Sequence, residues 1–246
     1  MSWRYALYDH SSVRPSYLTS SSHYDYPTTS SSYYEYPSTS SSSYLTRHHP
    51  SSMDYSQQKT TGRQLQRLIY YSAVPCRLRS TECAIYDVDC DEVFYGVYIG
   101  DAAAAKNKEY LRAMGITHVL NAAEGTKYGQ VDTGHIYYRD MPKLRYMGFQ
   151  VIDQITSDIS RYFYLAAKFI ENALNSGGKV LVHCLVGMSR SATCVIAYLM
   201  ICRKMSAAEA IRKIRMRRSI RPNDGFLQQL ADLDNELRAD RERHHY

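Results

Sequence analysis

Between Lys179 and Lys204 the sequence reads KVLVHCLVGMSRSATCVIAYLMICRK, and no other stretch restricts the fold as much. An apolar run ends in His183 and Cys184. A short loop carrying Gly187 follows, and Arg190 and Ser191 then open a helix-forming stretch. The run KVLVHC reads as a central buried strand. Helical and strand patterns alternate on either side of it, which implies an α/β fold: a mostly parallel central sheet with helices on both faces. The loop then lies at the carboxyl end of a central strand, where open α/β sheets bind ligands.

The same string specifies a chemistry. A helix N-terminus offers unpaired N–H groups and the positive end of the helix dipole, and a loop curled over it aims further N–H groups inward. Leu185, Val186, Gly187, Met188 and Ser189 would form this phosphate-binding cradle, with Gly187 supplying a backbone conformation closed to residues with a Cβ. That field favours a thiolate at Cys184. Arg190 adds a planar fork that grips two phosphoryl oxygens. A thiolate attacking phosphorus divides one hydrolysis into two easier steps. Charge stabilisation does most of the work, so neither a metal nor a cofactor is expected.

Elsewhere RQLQRLIYY reads as a helix and VFYGVYIG as one strand. Asp101 is expected to cap a single helix, AAAAKNKEYLRAM, closed by Gly115. ITHVLN and HIYYRD read as strands. Asp158 is expected to cap a long helix carrying Ile159, Phe163, Ala166, Ile170 and Leu174 at helical spacing. Ser206 and Glu209 form a capping box, and GFLQQLADLDNEL makes the last helix after Pro222.

Residues 1–60 are a different text. SSSHYDYPTT, SSSYYEYPST and SSSSYLT repeat with a period of ten, and 10 of the 24 tyrosines fall there with almost no aliphatic side chains. Such a segment buries too little apolar surface to offset its ordering entropy, so a disordered Ser/Tyr-rich tail is expected. A folded domain over 61–240 and a short disordered end over 241–246 complete the organisation. The net charge of +6 lies outside the tail, much of it in RKIRMRRSIR, which reads as a solvated helix face attracting acidic protein surfaces rather than nucleic acid. No apolar run reaches membrane-span length. Six cysteines without CxxC pairing fit a reducing cytosolic or nuclear compartment. Oligomeric state is not legible.

Breaking a P–O ester needs a proton donor. Asp140, Asp153 and Asp158 precede the loop. Asp158 is better used as a helix cap and Asp140 ends a strand, whereas Asp153 lies in FQVIDQITSD, a loop able to carry it over the phosphate.

Taken with VYIGDAAAA, GITHVLNAAEG, DISRYFYLAAKFIENAL and RPNDGFLQQL, the loop VHCLVGMSRS resembles that of the atypical, VHR-like dual-specificity protein phosphatases of the cysteine-based tyrosine phosphatase superfamily. The resemblance implies hydrolysis of phosphotyrosine and phosphoserine/threonine in phosphoproteins, with MAP kinases as a class expectation. It places the general acid at Asp153, ahead of Tyr162-Phe163. It gives Ser191 a hydroxyl that helps the sulfur leave and His183 a loop-orienting role. Asn121 and Asn223 would brace the phosphate loop, and Arg218 would hold a second phosphate. Leu185 and Val186 depart from relatives with charged residues there, and Tyr95-Gly96 from a frequent proline. An RNA 5′-phosphate or phosphoinositide would call for more basic residues in the loop, and a phosphate-binding module without turnover would not need Cys184, Arg190 and an acid together.

Overall fold

The computed structural model describes residues 59–73 and 80–243. The expected disorder of residues 1–60 therefore lies almost wholly outside the described residues, as does that of 244–246.

Among the described residues one sheet has five strands, β1 (Cys90–Phe94), β2 (Val97–Gly100), β3 (His118–Asn121), β4 (Arg145–Gly148) and β5 (Val180–His183), in the order β1-β2-β5-β3-β4. All neighbours are parallel except β1 and β2. Eight helices accompany them among the described residues: α1 (Gly62–Tyr71), α2 (Thr81–Ile85), α3 (Ala102–Lys106), α4 (Lys108–Ala113), α5 (Phe163–Asn175), α6 (Arg190–Arg203), α7 (Ala207–Arg215) and α8 (Asp224–Arg243). None is long and apolar enough to cross a membrane.

Strand alternation creates two cores. Val97, Ile99, Leu120, Val180 and Val182 pack with apolar residues of α1 and α5–α8. Tyr98, Val119 and Leu181, one residue out of phase, pack with residues of α2–α4 on the opposite face. Every residue of α6 from Arg190 to Met200 is buried. The register aligns Gly100, His183, Asn121 and Gly148 at the carboxyl ends of the parallel strands. Chemistry gathers at that end.

Several elements differ from expectation, each for a local reason. VFYGVYIG is not one strand: Gly96 turns the chain with φ +72, so β1 and β2 form an antiparallel hairpin. The single helix after Asp101 is two, because extended Asn107 accepts the Tyr110 N–H at 2.9 Å and starts α4. HIYYRD forms turns rather than a strand. Tyr138 is buried with its hydroxyl donating to the Ala105 carbonyl at 2.8 Å, and the strand that pairs with β3 there is β4, RYMG, instead. Asp158 accepts from the Ser160 N–H at 3.0 Å ahead of a 3₁₀ turn (Ser160–Tyr162), and α5 begins only at Phe163 with no side-chain cap. The Ser206–Glu209 capping box is present. Thr60 is bonded to Asp234 at 2.6 Å, and α8 continues to Arg243, so ordered structure passes both expected boundaries, 61 and 240.

Candidate active site

Cys184 follows β5, and the loop after it reaches α6 at Arg190. Every carbonyl from Cys184 to Ser189 is held by a group outside the loop's concave side. His183 Nδ1 lies 3.3 Å from the Cys184 oxygen, and the Ala102 N–H donates to Leu185 at 3.0 Å. Arg218 donates to Val186 at 3.3 Å and Gly187 at 2.8 Å. The Arg221 N–H donates to Met188 at 2.9 Å, and Thr193 donates to Ser189 from both its N–H and its hydroxyl at 2.9 Å. A trans peptide points its N–H opposite its carbonyl. Carbonyls tied outward therefore leave amide hydrogens facing inward, which makes an anion-binding cup over the N-terminus of α6.

Gly187 makes the turn possible. Its φ is +75, and a Cβ there would lie 2.5 Å from the Gly100 oxygen. Gly187→Ala is expected to cost about 1–3 kcal/mol, read as a lower Tm, and to slow alkylation of Cys184 by iodoacetate. Unchanged Tm and alkylation would show that the cup tolerates a different backbone.

Cys184 is almost fully buried at the base of the cup. Its sulfur accepts the Gly187 N–H at 3.2 Å and lies 3.4 Å from the Ser191 hydroxyl. Burial, the largest single influence, pushes the thiol pKa up. The Ser191 hydroxyl and N–H, the Arg190 charge and the Gly187 N–H together outweigh it, leaving the thiol below its usual range. Cys194, fully buried within α6 and lacking such donors, is pushed up by burial to about 12. Only one of the two is poised to react.

Arg190 is buried, and its Nη1 donates to the carbonyls of Gly129 (2.8 Å) and Val151 (3.0 Å). Its Nε has no hydrogen-bond partner among the described residues and lies 3.5 Å from Asp153 Oδ2. One edge of the fork is thus anchored, and a donor remains for an incoming oxyanion. Asp153 accepts from the Ser189 hydroxyl at 2.9 Å and the Asn223 amide at 2.8 Å. The two other aspartates are engaged elsewhere: Asp140 is ion-paired with Lys108 and with Arg112 at 3.1 Å, and Asp158 accepts a hydrogen bond from the Ser160 hydroxyl at 2.7 Å.

The supporting residues act less directly than expected. His183 is completely buried, and desolvation lowers its pKa to about 4, so it is neutral at pH 7. Among the described residues the Asn121 side chain makes no hydrogen bond to the phosphate loop. Its amide donates to Val131 (2.9 Å) and to the carbonyl and hydroxyl of Thr133 (3.2 and 3.0 Å), because the chain after β3 folds back over it. Asn121 thereby fixes the segment whose Gly129 carbonyl receives Arg190. Asn223 reaches the loop through its backbone, donating to the Ser189 hydroxyl at 3.3 Å, while its side chain holds Asp153. Arg218 is not free for a second phosphate, and the basic run is no uniform solvated face: Arg215 and Arg218 are both buried. Arg215 donates to the Ser72 carbonyl at 2.8 Å and so ties α7 to α1. Gly129, Val151 and Thr133 were not legible as site residues, since two of them contribute only carbonyls.

Residues 97–236 match the family model described as dual specificity phosphatase, catalytic domain. Human dual specificity protein phosphatase 13B is 51% identical over 148 residues, covering 60% of this chain and 73% of that protein. Human dual specificity protein phosphatase 26 is 43% identical over 176 residues, covering 71% and 76%. Among solved structures, human DUSP28 superposes with a TM-score of 0.53 at 26% identity, over 67% of this chain and 99% of that one. The human tyrosine phosphatase-like serine/threonine/tyrosine-interacting protein gives 0.52 at 30% identity, over 59% and 95%.

Proposed function

Since this chain belongs to the dual specificity phosphatase family, within its atypical members, its activity is that of a cysteine-based protein phosphatase, and we propose that Cys184, Arg190, Asp153 and Ser191 carry the reaction through a phosphocysteine intermediate. In the first step the Cys184 thiolate attacks phosphorus while Arg190 and the cup amides take up charge on the three non-bridging oxygens. Asp153 gives a proton to the departing oxygen. In the second step water attacks phosphorus and Asp153 takes its proton. The S–P bond breaks, and the Ser191 hydroxyl, 3.4 Å from the sulfur, stabilises the thiolate as it leaves. The single observation supporting this reading is a sulfur that accepts the Gly187 N–H at 3.2 Å and lies 3.4 Å from the Ser191 hydroxyl, at the base of a cup whose carbonyls all point outward.

Action on phosphoserine and phosphothreonine as well as phosphotyrosine draws support from the loop's position. Leu185 and Val186 are 39% and 54% exposed, so the cup lies near the surface, within reach of a short phosphoserine side chain. Phosphoproteins are the substrate class, and MAP kinases among them follow from the family resemblance. A reducing cytosolic or nuclear compartment suits the thiolate. Comparing phosphate release from phosphopeptides, RNA 5′-phosphates and phosphoinositides tests the substrate class, with turnover expected on the peptides.

The acid role has a sharper test. Asp153→Asn is expected to slow hydrolysis of alkyl phosphates such as phosphoserine by about 10²-fold or more, while activated aryl phosphates, whose leaving groups need little protonation, lose far less. Equal losses on both would remove Asp153 from the role.

A further inference from the structure

Arg218 has a side chain only 1% exposed, and it makes five hydrogen bonds with its five N–H donors. Nε donates to the Gly187 carbonyl at 2.8 Å, and Nη2 to Val186 at 3.3 Å and Asp89 Oδ2 at 2.9 Å. Nη1 donates to Asp89 Oδ1 at 3.1 Å and Asp91 Oδ2 at 2.8 Å. Asp89 grips the fork with both oxygens, and Asp91, in β1, grips its outer edge. The remaining donors hold two of the six outward-turned carbonyls of the phosphate loop. Those peptides carry the N–H groups of Gly187 and Met188 on their opposite sides.

We propose that Arg218 is a positioning residue for the phosphate cup: anchored by Asp89 and Asp91, it holds the Val186 and Gly187 carbonyls outward so that the Gly187 amide faces the Cys184 sulfur and the Met188 amide faces the bound phosphoryl group. The proposal rests on the phosphatase reading above and assigns Arg218 no contact with substrate. A second substrate phosphate could reach this guanidinium only by displacing a carboxylate or a loop carbonyl, since every donor is engaged. The two carboxylates also offset its charge, so its contribution is orientation more than field. Lysine, a point charge with three donors, cannot span four acceptor groups in this planar arrangement.

The test uses the full chain and three variants, Arg218→Met, Arg218→Lys and Asp91→Asn. It compares p-nitrophenyl phosphate with singly and doubly phosphorylated peptides, and follows iodoacetate alkylation of Cys184 against pH. Arg218→Met is expected to lower kcat/KM about 100-fold on every substrate alike, the scale of losing oriented oxyanion donors. The pH midpoint of alkylation should rise towards that of an ordinary thiol. Arg218→Lys should recover less than about tenfold of that loss. Asp91→Asn should shift both readouts in the same direction by a smaller amount. If Arg218→Met fails to fold, the other two variants decide. A loss confined to doubly phosphorylated peptides would overturn the proposal in favour of substrate binding. A lower Tm with unchanged alkylation midpoint and kcat/KM would overturn it in favour of a merely structural role. A wild-type protein that is alkylated at low pH but turns over no phosphate ester would sink the phosphatase reading, while leaving the alkylation comparison able to judge Arg218.

Discussion

Replacing Cys184 with serine is expected to remove turnover of p-nitrophenyl phosphate by a factor on the order of 10⁴ or more, with little change in Tm. The cup that suits a thiolate does not suffice for an alkoxide. The donors around Sγ, namely the Gly187 N–H, the Ser191 hydroxyl and the Arg190 charge, bring a thiol below its ordinary range. A serine hydroxyl starts several units higher and stays protonated at neutral pH. The substitution is nearly isosteric in a site already rich in hydrogen-bond donors, so the fold should persist and phosphoproteins should still bind. The variant then becomes a substrate trap. In wild-type protein, quenching during turnover should leave phosphate covalently on Cys184, detectable by mass spectrometry, and Cys184→Ser should show none. Turnover within tenfold of wild type would end the covalent mechanism.

Arg190→Lys should be nearly as damaging, lowering kcat/KM by about 10³-fold and weakening inhibition by inorganic phosphate. The charge is kept, yet the geometry is lost. Arg190 anchors Nη1 on the Gly129 and Val151 carbonyls and directs Nε towards Asp153 and the cup mouth. A lysine ammonium must choose between the two carbonyls and the phosphate. Choosing the phosphate leaves buried carbonyls without a donor, at about 1–3 kcal/mol. Thermal denaturation should therefore show a loss of stability beside the kinetic one. A variant with near wild-type kcat/KM would mean that charge alone serves and that the planar fork is incidental.

Asp153 shows how far local text reaches. Its loop position separates it from Asp140 and Asp158 on the page, and the fold keeps that separation, with Asp140 paired to Lys108 and Arg112. Asn121 and Arg218 show where such reasoning stops. Each stands at the right place in the text, yet Asn121 serves the 123–133 segment and Arg218 serves the loop carbonyls. The missing information is which distant backbone atoms come near. HIYYRD differs from the expected strand for a similar reason: Tyr138 docks on the end of α3 through its hydroxyl and the segment turns instead of pairing in the sheet.

What the sequence determined by itself is the strand–loop–helix of Val180–Arg203 and the residue types a phosphate ester requires, because apolar periodicity, a positive-φ glycine and a Cys–Arg spacing act over a few residues. Tertiary structure alone decided which partners make that loop work. The Gly129 and Val151 carbonyls for Arg190, and the Asp89–Asp91 pair for Arg218, come from segments as far as 129 residues away. Carbonyl oxygens are common to every residue, so no side-chain pattern announces them, and only the packing of the sheet's carboxyl end brings them into place.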